Sequence, residues 1–291
     1  MVTKRYMVFL FSFFIIFGIG LSAIYGIKDN IVEDDYIDND NNGWYVPIVM
    51  YHQVKNMNLS KDVISLQELE YDFKYLKKRN YNTITMTELI DYVYNDKKLP
   101  DNPIIITFDD GYLTTYKNVF PLIKKYDIKI VLSIIGKSTD DFTLVMSKNI
   151  NSAHLNWNQL NEMISSGLVE VQNHSYDLHT KVYGRNGCTQ KSNETFEEYK
   201  EVLSEDLKKL QMRLLQYSGV TPNAFTYPYG RYNENTVKVI KELGFKASLS
   251  CKYGINHITK DSECLYSLKR ACRSHGYSID KLISDVYKTI K

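Results

Sequence analysis

Ile104-Ile105-Ile106-Thr107-Phe108-Asp109-Asp110-Gly111 is the stretch on which the reading of this chain turns. Its β-branched apolar run reads as a buried strand. Two carboxylates and a glycine follow. Neighbouring side chains on a strand point to opposite faces, so two adjacent aspartates within it could not share a site. If the strand ends at Phe108, Gly111 allows a tight turn, and both carboxylates sit at a strand's C-terminal edge, where α/β folds place their chemistry. The alternative is a surface Asp-Asp-Gly turn that caps a helix after Thr114.

The chain around it supports an α/β reading. Strands at Ile48–Met50, Thr83–Thr85, Ile104–Phe108 and Lys129–Ile134 alternate with helices at Leu66–Lys78, Thr87–Tyr94 and Tyr116–Tyr126. That alternation implies parallel strands. Gly136 to Asn156 shows no periodicity and reads as a long loop. A short helix at Trp157–Ser166, a strand from Val169 to near His174, a long helix at Glu197–Tyr217 and a strand at Asn223–Tyr227 follow. A helix at Glu234–Leu243, strands at Phe245–Ser250 and near Tyr266–Leu268, and a helix at Ile279–Ile290 complete the pattern.

With 291 residues the chain is long enough for one large α/β domain with short appendages. The net charge of +2 is spread over scattered Lys and Arg, which excludes a dedicated nucleic-acid surface. Met7 to Ile27 is uncharged and strongly apolar, with Lys4 and Arg5 before it. A run of about 20 apolar residues spans a bilayer as a helix, and the positive-inside bias sends everything after Ile27 out of the cell. Ser22-Ala23 offers a cleavage point if the segment is a secretory signal. The expected division is residues 1–27 as membrane anchor or signal, 28–44 as a polar Asp- and Asn-rich linker, and 45–291 as the catalytic domain. The linker lacks the Gly and terminal Glu of an EF-hand loop. The four cysteines, Cys188, Cys251, Cys264 and Cys272, show no C-x-x-C spacing.

His174-Ser175-Tyr176-Asp177-Leu178-His179 carries the second signal. A five-residue spacing separates two imidazoles widely on a helix, but in a loop after a strand both can reach one point. An Asp with two neutral His suits zinc and similar divalent metals, and leaves positions open for water and substrate.

Thr107-Phe108-Asp109-Asp110-Gly111 and His174-Ser175…His179 resemble the first two motifs of the polysaccharide deacetylases, carbohydrate esterase family 4. Ile48-Val49-Met50-Tyr51-His52 and Thr226-Tyr227-Pro228-Tyr229-Gly230 are similar to the branch with poly-N-acetylglucosamine deacetylases. The resemblance covers roughly Val46 to Tyr277 and implies a distorted or incomplete (β/α) barrel. It implies Asp109 as general base, with Asp110, His174 and His179 holding one divalent metal ion, zinc foremost. It further implies the Tyr229 backbone N–H as oxyanion donor, with Tyr51, Tyr227 and Pro228 on the substrate side. The family arginine two residues before the Pro-Tyr is missing, since Thr226-Tyr227 stands there, leaving Arg270 or Arg273 to orient the base. No Leu-x-His motif is found near the C-terminus, so His52 is the candidate general acid and His275 its rival. The expected activity is metal-dependent removal of N-acetyl groups from N-acetylglucosamine units of an extracellular polysaccharide. The alternatives are a polysaccharide O-acetyl esterase and a non-catalytic wall-glycan binding protein on the same scaffold.

Overall fold

The strand that carries the Asp pair lies in the middle of the sheet. In a computed structural model, which describes residues 43–290 except 146–148, 150, 151 and 183, β6 (Pro103–Phe108) is buried at all six positions. It pairs in parallel with β2 (Ile48–Tyr51) on one side and β7 (Ile130–Ile134) on the other. β8 (Val169–Asn173), β9 (Ala224–Thr226) and β10 (Ala247–Leu249) continue the sheet, and β12 (Ala271–Cys272) extends it beyond β2. Every one of these pairings is parallel. The short β5 (Asn82–Thr83) joins β6 at its start.

The sheet coils until its edges nearly meet. Between β10 and β12 the seam is bridged by single backbone bonds. Leu268 N–H donates to Ser248 at 2.8 Å, Ser250 N–H to Leu268 at 2.8 Å, and Arg270 N–H to Lys252 at 2.8 Å. The result is a distorted, incomplete (β/α) barrel, as the family resemblance implied, with the parallel strands expected from the alternation. All the strand C-termini therefore open at one end, where barrel enzymes hold their sites.

Helices cover the outside for local reasons. Leu66–Lys78, Met86–Tyr94, Trp157–Ser165 and Phe196–Ser218 each begin with a reciprocal capping box, from Ser65, Thr85, Asn156 and Thr195 respectively. Leu69, Phe73 and Leu76 of the first pack into the main core with residues of β2 and β6.

Some expectations need correction. Gly136–Leu144 is a helix, not loop. Only Gly136 and Thr139 of it are buried, so it has no apolar stripe to read. A side chain at Gly136 would meet Tyr176 at 2.7 Å and Leu210 at 2.8 Å, so glycine lets the helix start against them. The expected strand near Tyr266–Leu268 is reduced to one bridge, Leu249 to Leu268, and the last strand is β12. β1 (Trp44–Val46) pairs antiparallel with β11 (Asn256–Ile258), so Trp44 belongs to the domain rather than to the linker. The apolar run 7–27 and its membrane role lie outside the described residues. Among the described residues, no helix is long and apolar enough to cross a membrane.

Candidate active site

β6 ends at Phe108, and the chain turns at once. Asp109 N–H donates to Tyr51 at 3.0 Å, and then Asp110 (φ 71°) and Gly111 (φ 73°) both take left-handed backbone. A non-glycine residue in that region costs on the order of 1 kcal/mol and persists only where its surroundings impose it. Here the turn is clamped by Leu155 N–H donating to Gly111 at 2.8 Å and Leu113 N–H to Ala153 at 2.8 Å. Both carboxylates thereby face one cleft of about 270 Å³, shared with His52, Asp62, Tyr112, His174, His179, Tyr227, Tyr229 and Cys251.

The His pair arrives by a similar device at the end of β8. Ser175 has φ 75°, its N–H capped by the Asn173 side chain at 2.8 Å. Asp206, on the helix Phe196–Ser218, accepts from Tyr176 N–H at 2.7 Å and Asp177 N–H at 2.8 Å. This folds the loop back so that both imidazoles reach the same carboxylate oxygen. His174 Nε2 lies 3.3 Å and His179 Nε2 3.4 Å from Asp110 Oδ1. Tyr229, itself at φ 57°, donates its hydroxyl to the His179 carbonyl at 3.1 Å and lays its ring against the imidazole, centroids 4.2 Å apart.

These residues fit a divalent metal. His174 Nδ1 faces the Thr226 carbonyl at 2.8 Å and so carries a proton, which leaves Nε2 turned toward Asp110. Asp110 Oδ1 is buried and has no hydrogen-bond partner. The two atoms need a cation between them: a metal ion or, in its absence, a proton on His174, whose imidazole, against its burial, is pushed up by the Asp110 and Asp109 carboxylates. Three donors about 2 Å from one tetrahedral ion are about 3.3 Å apart, the spacing seen here. Burial, reinforced by His174 beside it, holds His179 down to about 4, in the neutral form a metal ligand requires. Burial alone would lift the Asp110 carboxyl, but His174 and His179 hold it well below the usual range.

Asp109 is held differently. Burial would raise its carboxyl, yet Arg270, with His174, holds it below the ordinary value. Arg270 is 1% exposed and forks onto both oxygens at 2.8 Å, while its Nε donates to Ser250 at 2.8 Å and its Nη1 to Thr107 at 3.1 Å. Arg273 instead pairs with Asp72 at 2.9 Å. The arginine absent before Pro228 is thus supplied from the barrel seam by Arg270.

The remaining candidates separate cleanly. His52 lies in the cleft wall with Nδ1 3.9 Å from Asp62. His275 is bound to Glu68 at 3.0 Å and does not line the cleft. Tyr227 lines the cleft, but its hydroxyl donates to Ser248 at 2.7 Å. Pro228 is buried in the turn that presents Tyr229. The substrate role expected of Tyr51 is corrected: it is 1% exposed, and its hydroxyl donates to Asp72 at 3.0 Å. β2 ends at Tyr51, whose ring stacks on Phe108 in the core, centroids 4.9 Å apart. Sequence reasoning passed over Tyr112, Asp62 and Cys251 in the cleft wall and Thr226 behind His174. None carries a motif signal of its own.

Residues 96–248, just over half of the chain, match the family model for polysaccharide deacetylase. The chain belongs to that family and is a hydrolase of the polysaccharide deacetylase type. It is 29% identical over 214 residues to the poly-β-1,6-N-acetyl-D-glucosamine N-deacetylase of Staphylococcus epidermidis, covering 67% of this chain and 68% of that protein. The protein of the same name from Staphylococcus aureus strain N315 is 27% identical over 218 residues, covering 69% and 70%. The fold superimposes on a de-N-acetylase from Aggregatibacter actinomycetemcomitans with a TM-score of 0.70 at 23% identity, covering 82% of this chain and 99% of that one.

Proposed function

We propose that this chain is a metal-dependent N-deacetylase acting on N-acetylglucosamine units of an extracellular polysaccharide, with poly-β-1,6-N-acetylglucosamine as the first candidate. The observation that carries the reading is the pairing of two unlike carboxylates in one cleft. Asp110 faces two imidazoles and Asp109, one residue earlier, is locked to Arg270.

Asp110, His174 and His179 would hold the ion, with zinc the best match to one carboxylate and two imidazoles. When bound, a divalent ion there polarises an acetamide carbonyl and lowers the pKa of water. Asp109, ionised beside Arg270, accepts the proton of the attacking water. Tyr229, in the cleft wall on a left-handed turn, would offer its backbone N–H to the developing oxyanion. An amine leaves poorly without protonation, and His52 in the cleft wall supplies that proton. The names of the staphylococcal relatives support a β-1,6-linked N-acetylglucosamine polymer as substrate.

Such a polymer lies outside the cell, which agrees with an N-terminal anchor or signal in residues 1–27. Protease added to intact cells should then digest the domain. An O-acetyl esterase would use the same residues without needing His52. A purely binding protein would not need Asp109 held as an ionised base. Acetate release should be measured on four substrates: N-acetylated β-1,6-glucosamine oligomers, chitin oligomers, peptidoglycan and an O-acetylated glycan. The proposal expects the first to react fastest and to yield free amines. Release from the O-acetylated glycan alone would overturn it.

A further inference from the structure

Three side chains beside the catalytic cleft have ligand chemistry that the proposed reaction does not use in full. His52, Asp62 and Cys272 bring an imidazole nitrogen, a carboxylate oxygen and a thiol sulfur within 4.8 Å of one another. Asp62 Oδ1 is the meeting point, 3.9 Å from His52 Nδ1 and 3.9 Å from Cys272 Sγ. His52 Nδ1 is buried and has no hydrogen-bond partner. The thiol has only long contacts of its own, to the Lys61 carbonyl at 3.7 Å and the Ser274 hydroxyl at 3.9 Å.

The backbone holds this group together. Cys272 stands opposite Met50 in the β2–β12 pairing, and Arg273 N–H donates to the Met50 carbonyl at 2.9 Å. His52 follows directly on the end of β2 at Tyr51, between that strand and β3 (Gln53–Val54). Asp62 is brought in by the pairing of β3 (Gln53–Val54) with β4 (Val63–Ile64), where Gln53 N–H donates to the Asp62 carbonyl at 3.1 Å. His275 N–H ties the same loop to the C-terminal segment through Ser60, at 3.1 Å. Three separate segments thus converge without any one having to move far.

We propose that His52, Asp62 and Cys272 form a second, inhibitory site for a zinc-class transition metal. One thiolate, one imidazole and one carboxylate make a mixed soft set that suits Zn²⁺ or Co²⁺ and rejects Mg²⁺ and Ca²⁺. Binding exchanges the thiol proton for the metal: Cys272 S–H gives up H⁺ to solvent and its sulfur lone pair to the ion, with no change of oxidation state. The site is weaker than the Asp110 site, because its donors are about half an ångström further apart and Asp62 is 58% exposed. Inhibition follows from the lone pair at Nδ1. Once it is donated to a metal, the ring cannot hold the second proton that a general acid delivers. This last step rests on the deacetylase reading; the metal site itself does not.

Cobalt separates the two sites. The Asp110–His174–His179 set holds no sulfur, so a thiolate-to-cobalt charge-transfer band reports only the second site. When the metal-free full chain is titrated with Co²⁺, the first equivalent should add no such band and the second should produce it. Cys272→Ser should lose the band and Cys251→Ser should keep it. Acetate release should rise with the first equivalent of Zn²⁺ and fall as the second binds. In Cys272→Ser, and in Asp62→Asn as an independent check, the inhibitory zinc concentration should rise about 10–100-fold or more, since loss of even an outer-shell partner costs that much affinity. A band that is absent at excess cobalt, or that survives in Cys272→Ser, overturns the site. Unchanged zinc inhibition in both variants overturns its inhibitory role. No acetate release at any zinc level would defeat the deacetylase reading, and the cobalt titration would still decide the site.

Discussion

Replacing Arg270 with methionine tests how the base is held. The substitution keeps much of the side-chain bulk and removes both charge-assisted bonds to Asp109, each 2.8 Å long, where the Asp109 side chain is 3% exposed. Two outcomes compete. An ionised carboxylate left buried without its partner costs about 3–5 kcal/mol of stability. A carboxyl that takes up a proton avoids most of that cost, since a tenfold change in its protonation equilibrium is worth only about 1.4 kcal/mol. Burial already pushes Asp109 up, and losing Arg270 removes the largest of the attractions that oppose it. Protonation is therefore the cheaper response. The sign follows: in the proposed reaction Asp109 works deprotonated, so raising its pKa moves the acid limb of kcat/KM to higher pH. An opposite charge at this range moves a carboxylate's titration by about 1–3 on the pH scale. Just above the wild-type acid limb, the rate should fall on the order of 10–10³-fold, with only a modest loss in melting temperature. Acetate release followed across the acid and neutral range gives the limb. An unmoved limb in Arg270→Met would refute the assignment, as would an equal displacement in Arg273→Met.

Three further outcomes are expected. Arg273→Met should leave the acid limb in place and instead destabilise the fold, less below about pH 6 than above it, because burial already lifts Asp72 to about 6 and the carboxyl takes up a proton once its partner is gone; denaturant unfolding on either side of that pH measures this. His174→Ala should strip the first metal equivalent and abolish turnover, and metal analysis of the purified variant checks it. His52→Ala should nearly abolish N-deacetylation yet largely spare hydrolysis of an activated aryl acetate, whose leaving group needs no proton; the same pattern in His275→Ala would move the acid there.

The central strand was legible because all six residues of Pro103–Phe108 are buried and its composition says so. That Asp110, His174 and His179 belong to one site was legible by residue type and order, but their geometry was not. What joins His174 to His179 is a left-handed Ser175 and the Asp206 carboxylate, 30 residues downstream of Tyr176. The choice between Arg270 and Arg273 was closed to local reasoning for a similar reason. The two lie three residues apart, and only the barrel seam, 161 residues from Asp109, sends one to the base and the other to Asp72. Tyr51 was misplaced because a motif names neighbours without regard to where each side chain goes: Tyr51, the last residue of β2, reaches Asp72, and His52, just past the strand, lines the cleft. The helix Gly136–Leu144 and the three-residue strands β1 and β11 gave no periodic signal at all.

The central claim is that Asp109 and the Asp110–His174–His179 set together hydrolyse an acetamide on a glucosamine polymer. The most direct measurement counts acetate and free amine released from an N-acetylated β-1,6-glucosamine oligomer by the metal-loaded chain, the chelated chain and metal-loaded Asp109→Asn. The account predicts equal amounts of acetate and amine from the loaded chain and none from the chelated one. It predicts a loss on the order of 10²–10⁴-fold in Asp109→Asn, with its metal content intact. Undiminished release after chelation, or from Asp109→Asn, would contradict it.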